Sequence, residues 1–249
     1  MRIPSKQAFW IKTFTESGEI KTGGTKMKSV KKQRTINEIK EKKIIAILRN
    51  VPLDKLEKTV GAIVAGGISI IEIAHNQKSE RCMEDNAAAI RLIKESFKDS
   101  VTLGSGTVMN KEQVNSAVEA GADFILSPNF KPEVILQANA LEVVVIPGAL
   151  TPTEIVDAYE LGADFIKLFP VDNLGISYVK AIKGPLNYIP LIGVGGITTE
   201  NFVDYLNTGL EGISVGSYLA NDTLIKDGNY TEIERRARSF SEKVLEAKS

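Results

Sequence analysis

The stretch Leu161-Gly162-Ala163-Asp164-Phe165-Ile166 is the strongest evidence for the fold, because a close copy, Ala120-Gly121-Ala122-Asp123-Phe124-Ile125, lies 41 residues earlier. In each copy a glycine ends a helical pattern and leads directly into an apolar run. A glycine in this place is typical of a helix C-terminus, and the run that follows is typical of a buried parallel strand. Related turns occur at Ala65-Gly66-Gly67-Ile68 and Thr208-Gly209-Leu210. The repeat therefore predicts a series of strand–helix units.

Eight apolar runs alternate with helical patterns from Thr35 onward, and no linker separates them. The predicted strands lie near 44–48, 68–74, 102–108, 124–128, 143–148, 165–170, 191–196 and 212–218. The predicted helices lie near 35–42, 53–65, 79–97, 111–120, 132–140, 153–161, 176–183, 199–207 and 230–247. Eight strands that each precede a helix give the count of a closed parallel barrel. We predict an α/β chain whose residues 35–249 form a (β/α)8 TIM barrel rather than two domains.

The composition excludes several classes of protein and site. Apolar residues make up 43% of the 249 residues, but no apolar run approaches the ~18 residues of a membrane span. Cys82 is the single cysteine, which excludes an intramolecular disulfide and favours a reducing cytoplasm. Because His75 is the single histidine, a His/Cys metal site has almost no ligands, and we expect neither a metal nor a cofactor. A Ser-His-Asp triad would lack the G-x-S-x-G motif.

The N-terminal segment differs from the rest of the chain in charge. Residues 1–34 contain nine Lys or Arg against two Glu, a net charge of +7 that leaves −7 for the remaining residues. A basic arm can bind nucleic acid or an anionic membrane, but a solvated leader is the commoner case, and we expect neither partner. Gly23-Gly24-Thr25 interrupts the segment, and Met27 is a natural start for the following domain. We interpret 1–34 as a basic extension, flexible or appended, that precedes the barrel of residues 35–249.

Lys167 lies inside an apolar run, Asp164-Phe165-Ile166-Lys167-Leu168-Phe169-Pro170. Alternation along a strand puts its side chain on the same face as Phe165 and Phe169. An ammonium there is poorly solvated, which lowers the lysine pKa. A neutral amine can condense with a ketone to a Schiff base. The structural alternative is a lysine at a strand end that extends its amine to water.

A second charge occupies an equivalent place, at Glu72 in Ile68-Ser69-Ile70-Ile71-Glu72-Ile73-Ala74. Glu and Lys side chains are rarely buried unless they are paired or functional. Two strands with one inward charge each therefore predict that Lys167 and Glu72 share a pocket. The pKa of the carboxyl would then be raised toward neutrality, the range useful for proton transfer. The structural alternative is a buried ion pair without chemical function.

Other unusual residues also collect at the predicted carboxyl ends of strands, where the active sites of such barrels lie. Arg49 ends the first strand, and Glu72, His75 and Asn76 end the second. Gly104-Ser105-Gly106-Thr107 lies in the third strand, Ser127-Pro128-Asn129 ends the fourth, and Pro147-Gly148 ends the fifth. The sixth strand carries Lys167, Phe169 and Pro170. Of these residues, Thr107 is either a hydroxyl contact to substrate or a plain strand residue. His75 alone is more often structural than catalytic.

The last two strands end in Gly193-Val194-Gly195-Gly196 and Val215-Gly216-Ser217. Glycines after the seventh and eighth strands let backbone N–H groups approach a phosphate without obstruction from a Cβ. Each of these glycine-containing segments alone could be a tight turn between a strand and a helix. Because both segments occur in the expected strands, we predict a phosphate site between them.

These residues together resemble the class I aldolases that cleave 2-keto-3-deoxy-6-phosphogluconate (KDPG) or its galactonate epimer (KDPGal), a family that includes 4-hydroxy-2-oxoglutarate (KHG) aldolases. The similarity extends from about Ile44 to Leu219. It rests on Ile47-Leu48-Arg49, Ile71-Glu72-Ile73, Gly104-Ser105-Gly106-Thr107-Val108, Ser127-Pro128, Ile146-Pro147-Gly148, Ile166-Lys167-Leu168-Phe169-Pro170, Val194-Gly195-Gly196-Ile197 and Val215-Gly216-Ser217. The resemblance implies a cytoplasmic, homotrimeric lyase of carbohydrate metabolism, of the Entner-Doudoroff type, that needs no metal.

The resemblance also implies a role for each site residue. Lys167 corresponds to the Schiff-base lysine, and Glu72 to the carboxylate that moves protons, usually through a water. Arg49 and Thr107 correspond to the ligands of the pyruvate carboxylate. Pro128 and Phe169 correspond to the apolar wall around the pyruvyl carbon. The phosphate ligands correspond to Gly195, Gly196, Gly216 and Ser217.

Two positions depart from the gluconate-specific members, which usually carry Arg at the position of Asn76 and Thr at the position of Val194. Asn76 and Val194 resemble the galactonate-specific branch, as does Ser127-Pro128-Asn129. The Leu-Phe-Pro sequence after Lys167 and the segment Thr151-Pro152-Thr153-Glu154 instead occur in gluconate-specific or bifunctional members. We therefore assign Asn76 and Val194 to substrate binding and leave the epimer open.

Three functional hypotheses remain at this point. In the leading one, the barrel cleaves a 2-keto-3-deoxy-6-phospho-sugar acid to pyruvate and glyceraldehyde 3-phosphate through a Schiff base on Lys167. In the second, it is a phosphosugar epimerase or isomerase in which Glu72 is the base and Lys167 acts only by its charge. In the third, it is a non-catalytic barrel that serves as an assembly subunit or binds nucleic acid through its basic arm. Trapping with pyruvate and borohydride separates the three, because only a Schiff-base enzyme gains covalent mass.

Overall fold

Parallel strands form a ring in residues 29–246, the part of the chain that the computed structural model describes. The strands are β1 (Ile44–Arg49), β2 (Ile70–Ala74), β3 (Thr102–Gly106), β4 (Phe124–Leu126), β5 (Val144–Ile146), β6 (Gly148–Ala149), β7 (Ile166–Leu168), β8 (Leu191–Val194) and β9 (Gly212–Val215). Their order in the sheet is β5-β4-β3-β2-β1-β9-β8-β7-β6. The predicted α/β barrel is confirmed. No helix in the described range is long and apolar enough to cross a membrane.

β5 and β6 are the two halves of the fifth predicted strand, and Pro147 separates them. Proline has no N–H to donate to a neighbouring strand, so the hydrogen-bond ladder is interrupted at this residue. β5 pairs with β4, and β6 pairs with β7. The Pro147 carbonyl accepts a hydrogen bond from the Lys167 N–H at 2.8 Å. The eight-stranded barrel of the sequence prediction is therefore a ring of nine strand segments.

Apart from α1, which precedes β1, the helices follow strands and cover the outside of the barrel. They are α1 (Val30–Lys42), α2 (Leu53–Ala65), α3 (Cys82–Phe97), α4 (Lys111–Glu119), α5 (Pro132–Ala140), α6 (Pro152–Glu160), α7 (Gly175–Lys183), α8 (Phe202–Leu206), α9 (Asp222–Lys226) and α10 (Tyr230–Glu246). The bounds of α2 and α5 match the predicted ones. α9 was not predicted, because a helix of five residues is too short to show a helical period.

Apolar side chains fill the barrel interior at alternate positions of the strands. They form a cluster that is separate from the larger core between the strands and the outer helices. The interior cluster contains Ile45, Ile47, Ile70, Phe124, Leu126, Val144, Ile146, Phe165, Ile192 and Val194. Ile36 and Ile39 of α1 belong to the same cluster, so α1 packs its apolar face against the barrel interior.

Two aspartates of the sequence repeat connect α1 to the strands. Asp164 Oδ2 accepts a hydrogen bond from the Val145 N–H at 3.0 Å and pairs with the buried Lys32 ammonium at 2.9 Å. Asp123 Oδ2 likewise accepts from the Leu103 N–H at 3.0 Å, and Asp123 Oδ1 pairs with Lys31 at 3.1 Å. The repeated aspartate therefore has a structural role that the sequence analysis did not assign.

The predicted start of the first helix at residue 35 is wrong, because α1 begins at Val30. Ser29 caps the helix, since its hydroxyl accepts a hydrogen bond from the Lys32 N–H at 3.2 Å. The basic composition of residues 30–34 hid this first turn, because Val30 is its only apolar side chain. The rest of the predicted extension, including Met27, lies outside the described residues, as does residue 247 of the last predicted helix.

Candidate active site

Three polar side chains interrupt the apolar interior of the barrel toward the carboxyl ends of its strands. They are Glu72 on β2, Lys167 on β7 and Ser214 on β9, and all three are buried. Glu72 is 0% and Lys167 5% exposed. Residues two apart in a strand point to the same face. Lys167 is two residues from Phe165, and Glu72 is two residues from Ile70, and both Phe165 and Ile70 belong to the interior cluster. The predicted inward orientation of Lys167 and Glu72 is confirmed.

The Lys167 amine is held in a weakly polar environment. Burial lowers the pKa of Lys167 from the 10.5 of an ordinary lysine. The negative charge of Glu72 partly opposes this shift, and the positive charge of Arg49 adds to it. The Lys167 Nζ lies 5.0 Å from the centroid of the Phe169 ring, within the range of a cation–π contact. The amine therefore becomes neutral, and nucleophilic, at a lower pH than an exposed lysine.

The Glu72 carboxyl group is fully enclosed. Burial raises its pKa, and the charges of Lys167 and Arg49 lower it by less. Neither carboxylate oxygen has a hydrogen-bond partner among the side chains and backbone of residues 29–246. Gly106 on the neighbouring strand makes room for the group, because a Cβ on that residue would lie 1.7 Å from Glu72 Oε1. A carboxyl group in this state holds a proton at a higher pH than an exposed glutamate does, which suits it to proton transfer.

Arg49 and Thr107 meet above these two residues, although 58 positions separate them in sequence. An Arg49 Nη donates a hydrogen bond to Thr107 Oγ1 at 3.3 Å. Thr107 has a φ of 57°, a left-handed conformation that is strained for a β-branched residue. Its carbonyl accepts a hydrogen bond from Gln77 Nε2 at 2.6 Å. Backbone strain of this kind concentrates at functional sites.

One cavity of about 1090 Å³ connects most of the predicted site residues. Its lining includes Arg49, Thr107, Pro128, Lys167, Phe169, Val194, Gly195, Gly196, Gly216 and Ser217. Glu72 is buried too deeply to reach this surface. Asn76 does not line the cavity: it lies in an exposed turn where its Oδ1 accepts a hydrogen bond from the Lys78 N–H at 3.1 Å.

Glycine is required at the end of the cavity that lies beyond β8. Gly195 and Gly196 have φ angles of 106° and 62°. Residues other than glycine rarely adopt these backbone angles. A Cβ on Gly196 would lie 2.2 Å from the Cβ of Asp172. Gly216 and Ser217 follow β9 and line the same cavity. This end of the cavity therefore exposes backbone where an anionic group could be bound.

The geometry agrees with the comparison with known families. The model of the family described as "Aldolase: KDPG and KHG aldolase" matches residues 35–236. The chain belongs to this aldolase family. The 2-dehydro-3-deoxy-6-phosphogalactonate aldolase of Escherichia coli (strain K12) is 35% identical over 177 residues, which cover 71% of this chain and 83% of that protein.

Solved structures of two such aldolases share the fold. A structure described as native KDPGal has 32% identity and a TM-score of 0.74, over 82% of this chain and 95% of that one. The KDPG aldolase of Legionella pneumophila, with pyruvate captured as a covalent carbinolamine, has 25% identity and a TM-score of 0.74. That match covers 82% of this chain and 97% of that one.

The aldolase cavity also contains polar residues that the sequence analysis did not name. They are Asn50, Thr198, Ser214, Tyr218, Asn221, Asp222, Thr223 and Arg236. Ser214 carried the same signal as Lys167, a polar residue within an apolar strand, and its Oγ has no partner among the described residues. Arg236 could not be predicted, because it lies on α10 and the prediction considered only residues at the ends of strands. Its Nη1 donates a hydrogen bond to the Tyr218 carbonyl at 2.6 Å.

Proposed function

We propose that this aldolase cleaves a 2-keto-3-deoxy-6-phospho-sugar acid to pyruvate and glyceraldehyde 3-phosphate through a Schiff base on Lys167. One observation carries the proposal. Lys167 opens into the cavity with an amine whose pKa burial has lowered, and Glu72 interacts with it from the same interior. A buried amine next to a proton-accepting group is the arrangement that imine formation requires. The captured pyruvate in the Legionella pneumophila aldolase supports the same chemistry by similarity.

In the proposed reaction, Lys167 Nζ attacks the C2 carbonyl, and the carbinolamine loses water to give an iminium ion. Because Glu72 does not line the cavity, a water would carry protons between it and the substrate, and by this route Glu72 accepts the proton of the C4 hydroxyl as the C3–C4 bond breaks. The electron pair of that bond moves into the iminium, which becomes an enamine, and glyceraldehyde 3-phosphate leaves. Glu72 then returns a proton to C3, and water hydrolyses the resulting iminium to pyruvate and free Lys167.

The substrate would lie along the cavity with its carboxylate toward Arg49 and Thr107. A guanidinium binds a carboxylate with two parallel hydrogen bonds, and the Thr107 hydroxyl adds a third contact. Pro128 and Phe169 supply apolar surface beside Lys167. The phosphate would lie against the backbone of four residues at the far end: Gly195, Gly196, Gly216 and Ser217. This orientation supports recognition of a phosphorylated 2-keto acid without a cofactor.

Borohydride reduction in the presence of pyruvate tests the proposal. The wild-type protein should gain one pyruvate-derived mass on the peptide that contains Lys167. Lys167→Arg should gain none and lose turnover, since a guanidinium stays protonated and cannot condense. Glu72→Gln should still be labelled but should turn over roughly 10²- to 10⁴-fold more slowly. Labelling of another lysine, or of none, would reject the aldolase in favour of an epimerase or a non-catalytic barrel.

Val194 provides a test of the epimer that the enzyme prefers. The two candidate substrates differ in configuration at C4, the carbon that carries the hydroxyl on the cleaved bond. Valine cannot hydrogen-bond that hydroxyl, whereas threonine could do so in one configuration, a difference of about 1–3 kcal/mol. We propose a preference for the galactonate epimer, so Val194→Thr should raise kcat/KM for the gluconate epimer relative to the galactonate one. An unchanged ratio would contradict this preference.

We also propose that the enzyme is a cytoplasmic homotrimer, as the family resemblance implies. Multi-angle light scattering should then give three times the 27.1 kDa mass of the chain. A monomeric mass would contradict this oligomeric state without affecting the proposed chemistry, because every site residue named above comes from one chain.

A further inference from the structure

His75 is the only histidine of the chain, and the mechanism above does not use it. It follows β2 directly and is 1% exposed. Its side chain lies in a buried polar cluster with Ser105 of β3 and Asn86 of α3. The cluster lies outside the barrel interior, since Ser105 and Ile73 are register partners, and Ile73 belongs to the core between strands and helices.

The hydrogen bonds of this cluster fix the tautomer of His75. Asn86 Nδ2 donates to the Ile73 carbonyl at 3.0 Å, which turns Asn86 Oδ1 toward Ser105. The Ser105 hydroxyl donates to that oxygen at 2.9 Å, and so its own oxygen is left to accept. His75 Nδ1 lies 3.1 Å from the Gly106 carbonyl and 3.2 Å from Ser105 Oγ. A carbonyl only accepts, so Nδ1 carries the proton and donates.

The surroundings of His75 favour the neutral ring. Its Nε2 is buried and has no hydrogen-bond partner among residues 29–246. A proton on Nε2 would place a charge and an unpaired N–H in this interior, which is unfavourable. Burial accordingly lowers the pKa of His75, and the hydrogen bond to Gly106 opposes the shift by less.

The His75 side chain and backbone both hold the Gly106 carbonyl. The His75 backbone N–H donates to it at 2.8 Å, in addition to Nδ1. Gly106 is the residue whose Cα faces the Glu72 carboxyl group, and Thr107, in its strained conformation, follows it. Gln77 holds the Thr107 carbonyl in turn. The segment after β2 thus fixes both carbonyls of the turn that presents Thr107 to Arg49.

We propose that His75 is a positioning residue, whose Nδ1–H holds the Gly106–Thr107 turn so that Thr107 and Arg49 are pre-organised for the carboxylate of the 2-keto acid. This inference rests on the proposed function, because only an aldolase would bind pyruvate at this place. It assigns His75 no contact with substrate.

Nitrogen NMR of the wild-type protein, labelled with ¹⁵N-histidine and purified without a histidine tag, tests the tautomer directly. The chain supplies a single imidazole, so the spectrum needs no assignment between residues. At pH 7 we expect a neutral ring with the proton on Nδ1, the tautomer that free histidine disfavours. An imidazolium, or a proton on Nε2, would overturn the proposal even if no variant folds.

The concentration of pyruvate that half-saturates borohydride trapping tests the effect on the site. His75→Leu removes the donor and should raise this concentration roughly tenfold, the scale of one lost hydrogen bond. His75→Asn places an amide donor near the Nδ1 position and should restore it to within about threefold of wild type. Ser105→Ala is the matched control: it removes both hydrogen bonds of the Ser105 hydroxyl but keeps the hydrogen bond from His75 Nδ1 to the Gly106 carbonyl, and it should change this concentration less than about twofold.

Melting temperatures of the same variants separate a positioning role from a structural one. His75→Leu and Ser105→Ala should both lower the melting temperature, but only His75→Leu should weaken pyruvate trapping. Equal half-saturation in His75→Leu and wild type would overturn the role of His75 and leave the proposed function intact. If the wild-type protein itself traps no pyruvate, that result contradicts the proposed function, and with it the role of His75 that rests on it.

Discussion

At the scale of single residues, burial shifts the pKa values of two charged side chains in opposite directions. The pKa of Lys167 is lowered and that of Glu72 is raised, so both shifts favour the neutral form. Each residue also stabilises the charge of the other, which makes the two titrations interdependent. Paired shifts of this kind, in a cavity, are typical of functional sites.

The pH dependence of imine formation follows from these shifts. The rate with pyruvate should rise with pH as Lys167 loses its proton, with a midpoint below 10.5 because burial lowers the pKa. Glu72→Gln should move the midpoint to still lower pH, since the Glu72 charge raises the pKa of Lys167. Reactions started at each pH and quenched with borohydride at one fixed pH would measure both midpoints. A wild-type midpoint at or above 10.5 would contradict the burial argument.

Gly106 should tolerate no side chain, for a reason that concerns catalysis rather than folding. A Cβ there would lie 1.7 Å from Glu72 Oε1, so Gly106→Ala must displace the carboxyl group. We expect turnover to fall roughly 10²- to 10⁴-fold, as in the loss of a general acid–base group, while pyruvate trapping on Lys167 persists. Steady-state kinetics and mass spectrometry would measure the two effects.

Gly61 offers the matched control for this prediction. It lies within α2, where the nearest atom to an added Cβ is 3.9 Å away. Gly61→Ala should keep full turnover and gain about 0.5–1 kcal/mol in free energy of unfolding, because alanine is the better helix former. Full turnover in Gly106→Ala would show that Glu72 is not held as the structure indicates.

At the scale of elements, α1 depends on lysines that the sequence analysis assigned to a flexible segment. Lys32 is buried, pairs with Asp164 and donates a hydrogen bond to Asn139 Oδ1 at 2.8 Å. Lys31 pairs with Asp123, but its side chain is 66% exposed. Solvent weakens an exposed pair, whereas removing one partner of a buried pair is strongly destabilising.

Lys32→Met should therefore destabilise the protein far more than Lys31→Met. We expect a loss of about 3–5 kcal/mol in free energy of unfolding for the buried lysine. For the exposed lysine the loss should be less than about 1 kcal/mol. Urea unfolding followed by circular dichroism would measure both values. Equal losses in the two variants would contradict the docking of α1 through Lys32.

At the scale of the whole molecule, the basic N-terminal segment stands apart from the barrel in charge and composition. The family match begins at residue 35, and the described structure begins at Ser29. Among the described residues, the first that lines the candidate cavity is Ile47. We propose that the barrel unit begins near Ser29 and that residues 1–26 are dispensable for folding and catalysis.

Two shortened chains test this boundary. A chain that begins at Met27 retains every described residue and should keep the melting temperature and turnover of the full chain. A chain that begins at Thr35 loses the Ser29 cap and Lys32 and should melt at a lower temperature. Thermal denaturation and aldol cleavage assays would measure the effects. A marked loss in the Met27 chain would show that the preceding residues contribute to the barrel or its assembly.

Much of the architecture and the centre of the site could be predicted because their signals are local. The glycine turns before Phe124 and Phe165 show where helices end and strands begin. The alternation of side chains along one strand is enough to turn Lys167 inward. Eight such units in series leave a closed barrel as the expected arrangement, and a barrel brings Lys167 and Glu72 to the same interior.

Other features depend on contacts between residues that are distant in sequence. Local patterns carry no information on which side chains meet across strands and helices, since packing brings them together only in the folded chain. The cluster of His75, Ser105 and Asn86 and the start of α1 at Val30 are of this kind. The strained backbone of Thr107 also depends on such contacts, because a β-branched residue adopts a positive φ only where surrounding contacts impose it. The sequence by itself therefore determined that Lys167 points into the barrel, because strand alternation is local, whereas the fold determined how its surroundings are held.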